Sequence, residues 1–73
     1  MNANHKDLRD KCIADRRASL LSYYKFQNAE KTFDSNPSPE NFAEYKACCN
    51  DFTESLAACM LSTQAIINYI DSQ

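Results

Sequence analysis

The sequence predicts an all-α chain: an antiparallel two-helix hairpin, pairing with another helical chain or closing as a homodimeric four-helix bundle. Three observations predict it. The 73 residues include no glycine, which leaves few places for the positive-φ turns of a β meander or barrel. The two prolines, Pro37 and Pro39, fall in one short stretch, so nothing breaks a helix on either side of it. From Pro39 to Asp71 the apolar residues recur alternately three and four apart, and no window offers the period of two that a strand needs.

The chain is short enough for one domain at most, residues 1–73. A single core of this size rarely supplies more than ~3–5 kcal/mol without reinforcement. Residues 1–4 read as a polar lead, with Asn4 as N-cap and Asp7 as an acid in the first turn. The first helix is expected over about 5–34. Leu8, Cys12, Tyr23, Phe26, Ala29 and Phe33 share one face. Ile13, Leu20 and Tyr24 form a second stripe, interleaved with Arg9, Arg16 and Arg17. Two stripes on one helix imply more than one neighbour.

Residues 35–38 form the expected turn. Asn36 precedes a proline and is pushed out of the α region. Ser38 is suited to an N-cap and Pro39 to the first helical position, where its missing N–H matters least. Phe33 and Phe42 flank the turn and should close its apolar end.

The second helix is expected over about 39–71, a rod of ~50 Å at 1.5 Å per residue. Phe42, Tyr45, Cys49, Phe52, Leu56, Cys59, Thr63, Ile66 and Ile70 give it the a/d seam of a helix packed along one partner. Ala43, Ala47, Ala57, Ala58, Leu61 and Ala65 lie away from that seam. Alanine is the best helix former and needs no partner, but Leu61 stands where water is expected. Ile13, Leu20, Tyr24, Ala57, Ala58, Leu61 and Ala65 are therefore the residues expected to face a partner, and Leu61→Glu is expected to abolish its binding.

The four cysteines do not read as a disulfide frame. Cys48 and Cys49 are adjacent on one helix, and Cys59 lies three turns along the same rod, beyond their reach. Cys12, on the other helix, could at best meet one of them under oxidising conditions. Reduced, buried thiols in a cytoplasmic protein are the expectation. No metal or other cofactor is expected, since the one histidine, His5, stands near a chain end and no Cys-x-x-Cys occurs.

The net charge of −2 is unevenly spread. Seven bases against five acids make residues 1–35 about +2, and one base against five acids makes residues 36–73 about −4. Met1 to Asp10 is polar, so no secretory signal is expected. No run approaches the ~18–20 apolar residues of a membrane span.

Catalysis needs convergent polar groups in a pocket, and a two-helix hairpin offers none, so no enzyme is expected. Asp51 and Glu54, at i and i+3, read as a solvated edge. Arg9, Arg16, Arg17 and Lys31, with Tyr24 and Gln27, could form a basic strip for RNA. Asp7, Asp10 and Asp15 interleave with them, which favours i, i+4 ion pairs, such as Lys11 with Asp7 or Asp15, over phosphate binding.

The run Ser38-Pro39-Glu40-Asn41-Phe42, then a helix of alternating small and apolar residues ending in Ala65-Ile66-Ile67-Asn68-Tyr69-Ile70, resembles the small co-chaperones of type III secretion needle subunits. The resemblance covers roughly residues 36–71. The sequence departs from that family in its four cysteines and a slightly long second helix. The resemblance implies a cytoplasmic accessory chaperone of a virulence-associated secretion system. It would bind a helical-repeat co-chaperone and, through that heteromeric complex, keep the needle subunit soluble and monomeric. No family residue role transfers to a particular position here. Two other readings stand beside it. One is the needle subunit itself, with Asn36-Pro37-Ser38 as its turn, against which the cysteines argue. The other is a Rop-like homodimeric RNA-binding or regulatory bundle, whose complex would be salt-sensitive.

Overall fold

The computed structural model describes residues 3–73, with side chains from His5 onward. Helix α1 spans Ala3–Ser35 and helix α2 spans Pro39–Asp71. They run antiparallel as a rod of 53 × 14 × 12 Å. The all-α hairpin expected from the sequence is the fold.

The ends of the helices follow from local chemistry. Helix α1 begins at Ala3, so Asn4, expected as the N-cap, lies inside it, and the cap position falls outside the described residues. Asp7 is correspondingly a second-turn residue, and the first turn holds no acid. At the far end the Asn36 amide still donates to the Thr32 carbonyl at 3.0 Å, and Pro37 then stops the helix. Ser38 is extended at φ −117°, ψ 161°, and its hydroxyl accepts from the Asn41 amide at 3.1 Å. The Asn41 side chain donates back to the Asn36 carbonyl at 2.8 Å, which ties the two helix ends together. Among the described residues no backbone takes a positive φ, as a chain without glycine requires.

The seam lies elsewhere than the apolar pattern of α2 suggests. On α1 the seam runs His5, Leu8, Cys12, Asp15, Ser19, Ser22, Phe26, Ala29 and Phe33, an unbroken alternation of three and four, with Ile13, Gln27 and Glu30 half-buried on its flank. On α2 it runs Tyr45, Cys48, Phe52, Ser55, Cys59, Ser62, Ile66 and Tyr69, with Asn41, Cys49, Ala58 and Ala65 half-buried beside it. The expected column Tyr45, Phe52, Cys59, Ile66 is kept. Its expected companion, Cys49, Leu56, Thr63 and Ile70, gives way to Cys48, Ser55, Ser62 and Tyr69. On an ideal helix that is a rotation of roughly 50°. Cys49 is left half-buried at the edge, while Phe42, Leu56, Thr63 and Ile70 are exposed. On α1, Tyr23 is likewise at the edge rather than in the seam, with its ring 5.4 Å from that of Phe52.

The physical reason is size. Small side chains at the contact let two backbones approach closely, and large ones can then lap over the flanks. The serines carry no penalty, because Ser55 and Ser62 donate to the Phe52 and Cys59 carbonyls of their own helix at 3.0 and 3.1 Å. The helices sort by size along the rod. Toward the turn, Phe33 meets Phe42 at a tilt at 5.6 Å and stacks on Tyr45 at 5.8 Å, and Phe26 stacks on Tyr45 and Phe52 at 5.6 and 5.9 Å. Toward the open end the contacts are small, as where the Cys12 thiol meets the Thr63 hydroxyl at 3.6 Å. His5 and Tyr69 close that end, with ring centroids 5.5 Å apart.

Candidate interaction surface

Little of this chain is hidden. Among the described residues only Ala29, Cys48 and Ser62 are buried, and no large side chain is fully enclosed. The chain exposes 5550 Å², whereas a compact monomer of its mass exposes ~4,600 Å². Its radius of gyration is 16.4 Å, against ~11 Å for a compact domain of this length.

The exposed surface divides into two unlike faces, one on each side of the seam. A shallow groove on the first face is lined by Arg16, Leu20, Tyr23, Phe52 and Leu56. Helical spacing extends it. On α1 the stripe runs Arg9, Ile13, Arg16, Leu20, Tyr23, Gln27, Glu30, Asp34. On α2 it runs Leu56, Met60, Thr63, Ile67, Ile70. Leu20, Met60, Ile67 and Ile70 are all largely exposed, Met60 by 66%. The opposite face bears a polar groove lined by Lys25, Asn28, Thr32, Asn41 and Glu44. From Glu44 the same spacing leads through Ala47, Asp51, Glu54, Ala58 and Leu61 to Ala65, and from Lys25 back through Leu21, Ala18 and Ala14. Its large apolar side chains are Leu21 and Leu61, the latter 73% exposed.

The residues expected to face a partner are thus dispersed. Ile13 and Leu20 stand on the apolar face. Ala58, Leu61 and Ala65 stand on the opposite one. Tyr24 and Ala57 lie on the outer ridges of α1 and α2, away from the other helix. Met60 and Ile67 were not singled out from the sequence, although their spacing from Leu56 and Thr63 places them in the same stripe as Ile70.

The ion pairs are local. Lys6 meets Asp10 at 3.0 Å and Lys11 meets Asp15 at 3.5 Å, so the i, i+4 expectation for Lys11 resolves to Asp15. Among the described residues no ion pair links the two helices, and Arg9, Arg16, Arg17 and Asp34 enter none. Asp15 is the one carboxylate in the seam. Its Oδ2 is enclosed and makes no hydrogen bond among the described residues.

Two titratable groups are held neutral. The Tyr45 hydroxyl donates to Glu30 Oε2 at 3.1 Å, and that bond raises the tyrosine above its ordinary value. Burial, aided by a 3.5 Å hydrogen bond to Glu44 Oε1, pushes the Cys48 thiol up. A thiol so placed is a packing group rather than a nucleophile.

All four cysteines are free. Among the described residues no three His, Cys, Asp or Glu side chains gather as a metal site would require, and no helix is long and apolar enough to cross a membrane. No protein-family model, curated protein or solved structure matches this chain.

Proposed function

We propose that this chain is a non-enzymatic binding module, completed by another helical polypeptide and acting as an accessory chaperone for it. The observation that carries the reading is the exposed apolar stripe of Leu20, Leu56, Met60, Ile67 and Ile70, which runs along one face beside the half-buried Ile13. Isolated exposed apolar residues are ordinary, but a contiguous row of them marks an interaction surface. A helix laid into the shallow groove between α1 and α2 would bury that row by the helix-in-groove mode. The resemblance of residues 36–71 to type III needle-subunit co-chaperones supplies the kind of partner: a helical-repeat co-chaperone and, through it, the needle subunit.

Co-expression pull-down with mass measurement of the complex tests this. A heteromer with a helical protein is expected. Leu20→Glu should abolish capture while circular dichroism stays helical. Leu61→Glu, on the opposite face, should leave capture intact. If the Leu20 variant still holds its partner, the assigned face is wrong. Co-purifying RNA would instead favour the regulatory bundle, and filaments the needle subunit.

A further inference from the structure

We infer that a second copy of this chain docks on the apolar face, head to tail, forming a four-helix bundle in which each turn lies beside the other copy's open end. The α1 stripe carries the argument. It begins with Arg9 and Arg16, passes through Leu20 and Tyr23, and ends with Glu30 and Asp34. A row with bases at one end and acids at the other is complementary to itself when reversed. Arg9 and Asp34 enter no ion pair within the hairpin among the described residues, and Glu30 has one oxygen beyond that engaged by Tyr45.

The register follows from contacts already described. Cys12 lies level with Thr63 and Tyr23 with Phe52, which puts Leu20 level with Ser55 and Leu56. A two-fold axis across the rod at Leu20 brings both copies' Leu20 and Leu56 to the centre. It also sets Arg9 beside the second copy's Glu30, and Arg16 beside its Tyr23 ring, an arrangement that suits a cation over an aromatic face. Neighbouring helices are then antiparallel throughout. The alternative, with both turns at one end, faces Arg9 toward the apolar Ile66 and Ile67 and gathers both copies' bases together. Charge selects the first arrangement. A face 53 Å long and 14 Å across offers roughly 700 Å², close to the ~800 Å² that each partner of a standard-size interface contributes.

This inference shares with the proposed function only its choice of face, and the two fail separately. The purified chain, studied by sedimentation equilibrium, should have twice its 8.3 kDa mass. Leu20→Glu should give a helical monomer. Arg9→Glu should weaken association roughly tenfold, and Glu30→Lys in the same chain should restore most of it, because only the head-to-tail pairing joins these two positions. A monomer at every concentration reached overturns the inference. So does a dimer indifferent to Leu20→Glu, or an Arg9→Glu loss that Glu30→Lys fails to repair in a chain still helical by circular dichroism. A monomer that nonetheless captures a helical partner through Leu20 would overturn it while leaving the proposed function standing.

Discussion

At Ser62 a hydroxyl occupies the middle of the helix interface and bonds only to the backbone of its own helix, at Cys59. What the position requires is therefore a small side chain rather than a polar one. Ser62→Leu would add the kind of residue that a simple apolar pattern calls for, yet it should destabilise the hairpin by ~1–3 kcal/mol through overpacking. Urea unfolding checks this, and a stabilised variant would mean that the seam has room to spare. Cys48, 7% exposed, is the corresponding small residue nearer the turn. Under native conditions it should be the slowest of the four thiols to take up an alkylating reagent, by peptide mass mapping.

The elements differ in how openly their sequences declare them. The turn is legible because its chemistry is local. Pro37 ends α1, the Ser38 side chain meets the Asn41 amide, and Pro39 opens α2, all within a few residues. Ser38→Ala should accordingly cost ~1 kcal/mol, read from the same urea transition. The seam of α2 was only half legible. A repeat of alternating threes and fours fixes the period and one column, Tyr45 to Ile66, but it does not say which neighbouring column joins it. Leu56 and Ile70 are the greasier choice. Ser55 and Ser62 prevail because the decision depends on how near α1 can come, and α1 offers Ser19 and Ser22 level with Ser55 and Cys12 level with Ser62. The candidate surface was obscured for the same reason. Ile13 and Leu20 stand out in the sequence as a second stripe, but the repeat of threes and fours places their companions on α2, Leu56 and Ile70, in the seam, and Leu61 marks the other face.

For the molecule as a whole, the balance between enclosed and exposed surface governs behaviour. With three buried side chains among the described residues, the hairpin has little to hold it together, and association should contribute much of its stability by mass action. The thermal midpoint should therefore rise with protein concentration. Alkali should act on the same balance. Tyr45 and Cys48 are both shifted upward in the fold, so each favours its neutral form there. Their contribution is complete below the ordinary thiol value of ~8.5 and fades as pH climbs through that of the phenol at ~10 and beyond. Thermal melts from neutral pH upward should show a midpoint falling across that window and no comparable loss from these two groups on the acid side.

The uneven placement of the rings has a consequence for motion. Phe26, Phe33, Phe42, Tyr45 and Phe52 clasp the helices near the turn, whereas Cys12, Ser19 and Ser62 offer a lighter grip farther out. Two arms joined at one end and held most firmly beside the joint will part from the tips, like tweezers. Amide protons near Leu8 and Ile66 should trade with deuterium sooner than those near Phe26 and Tyr45.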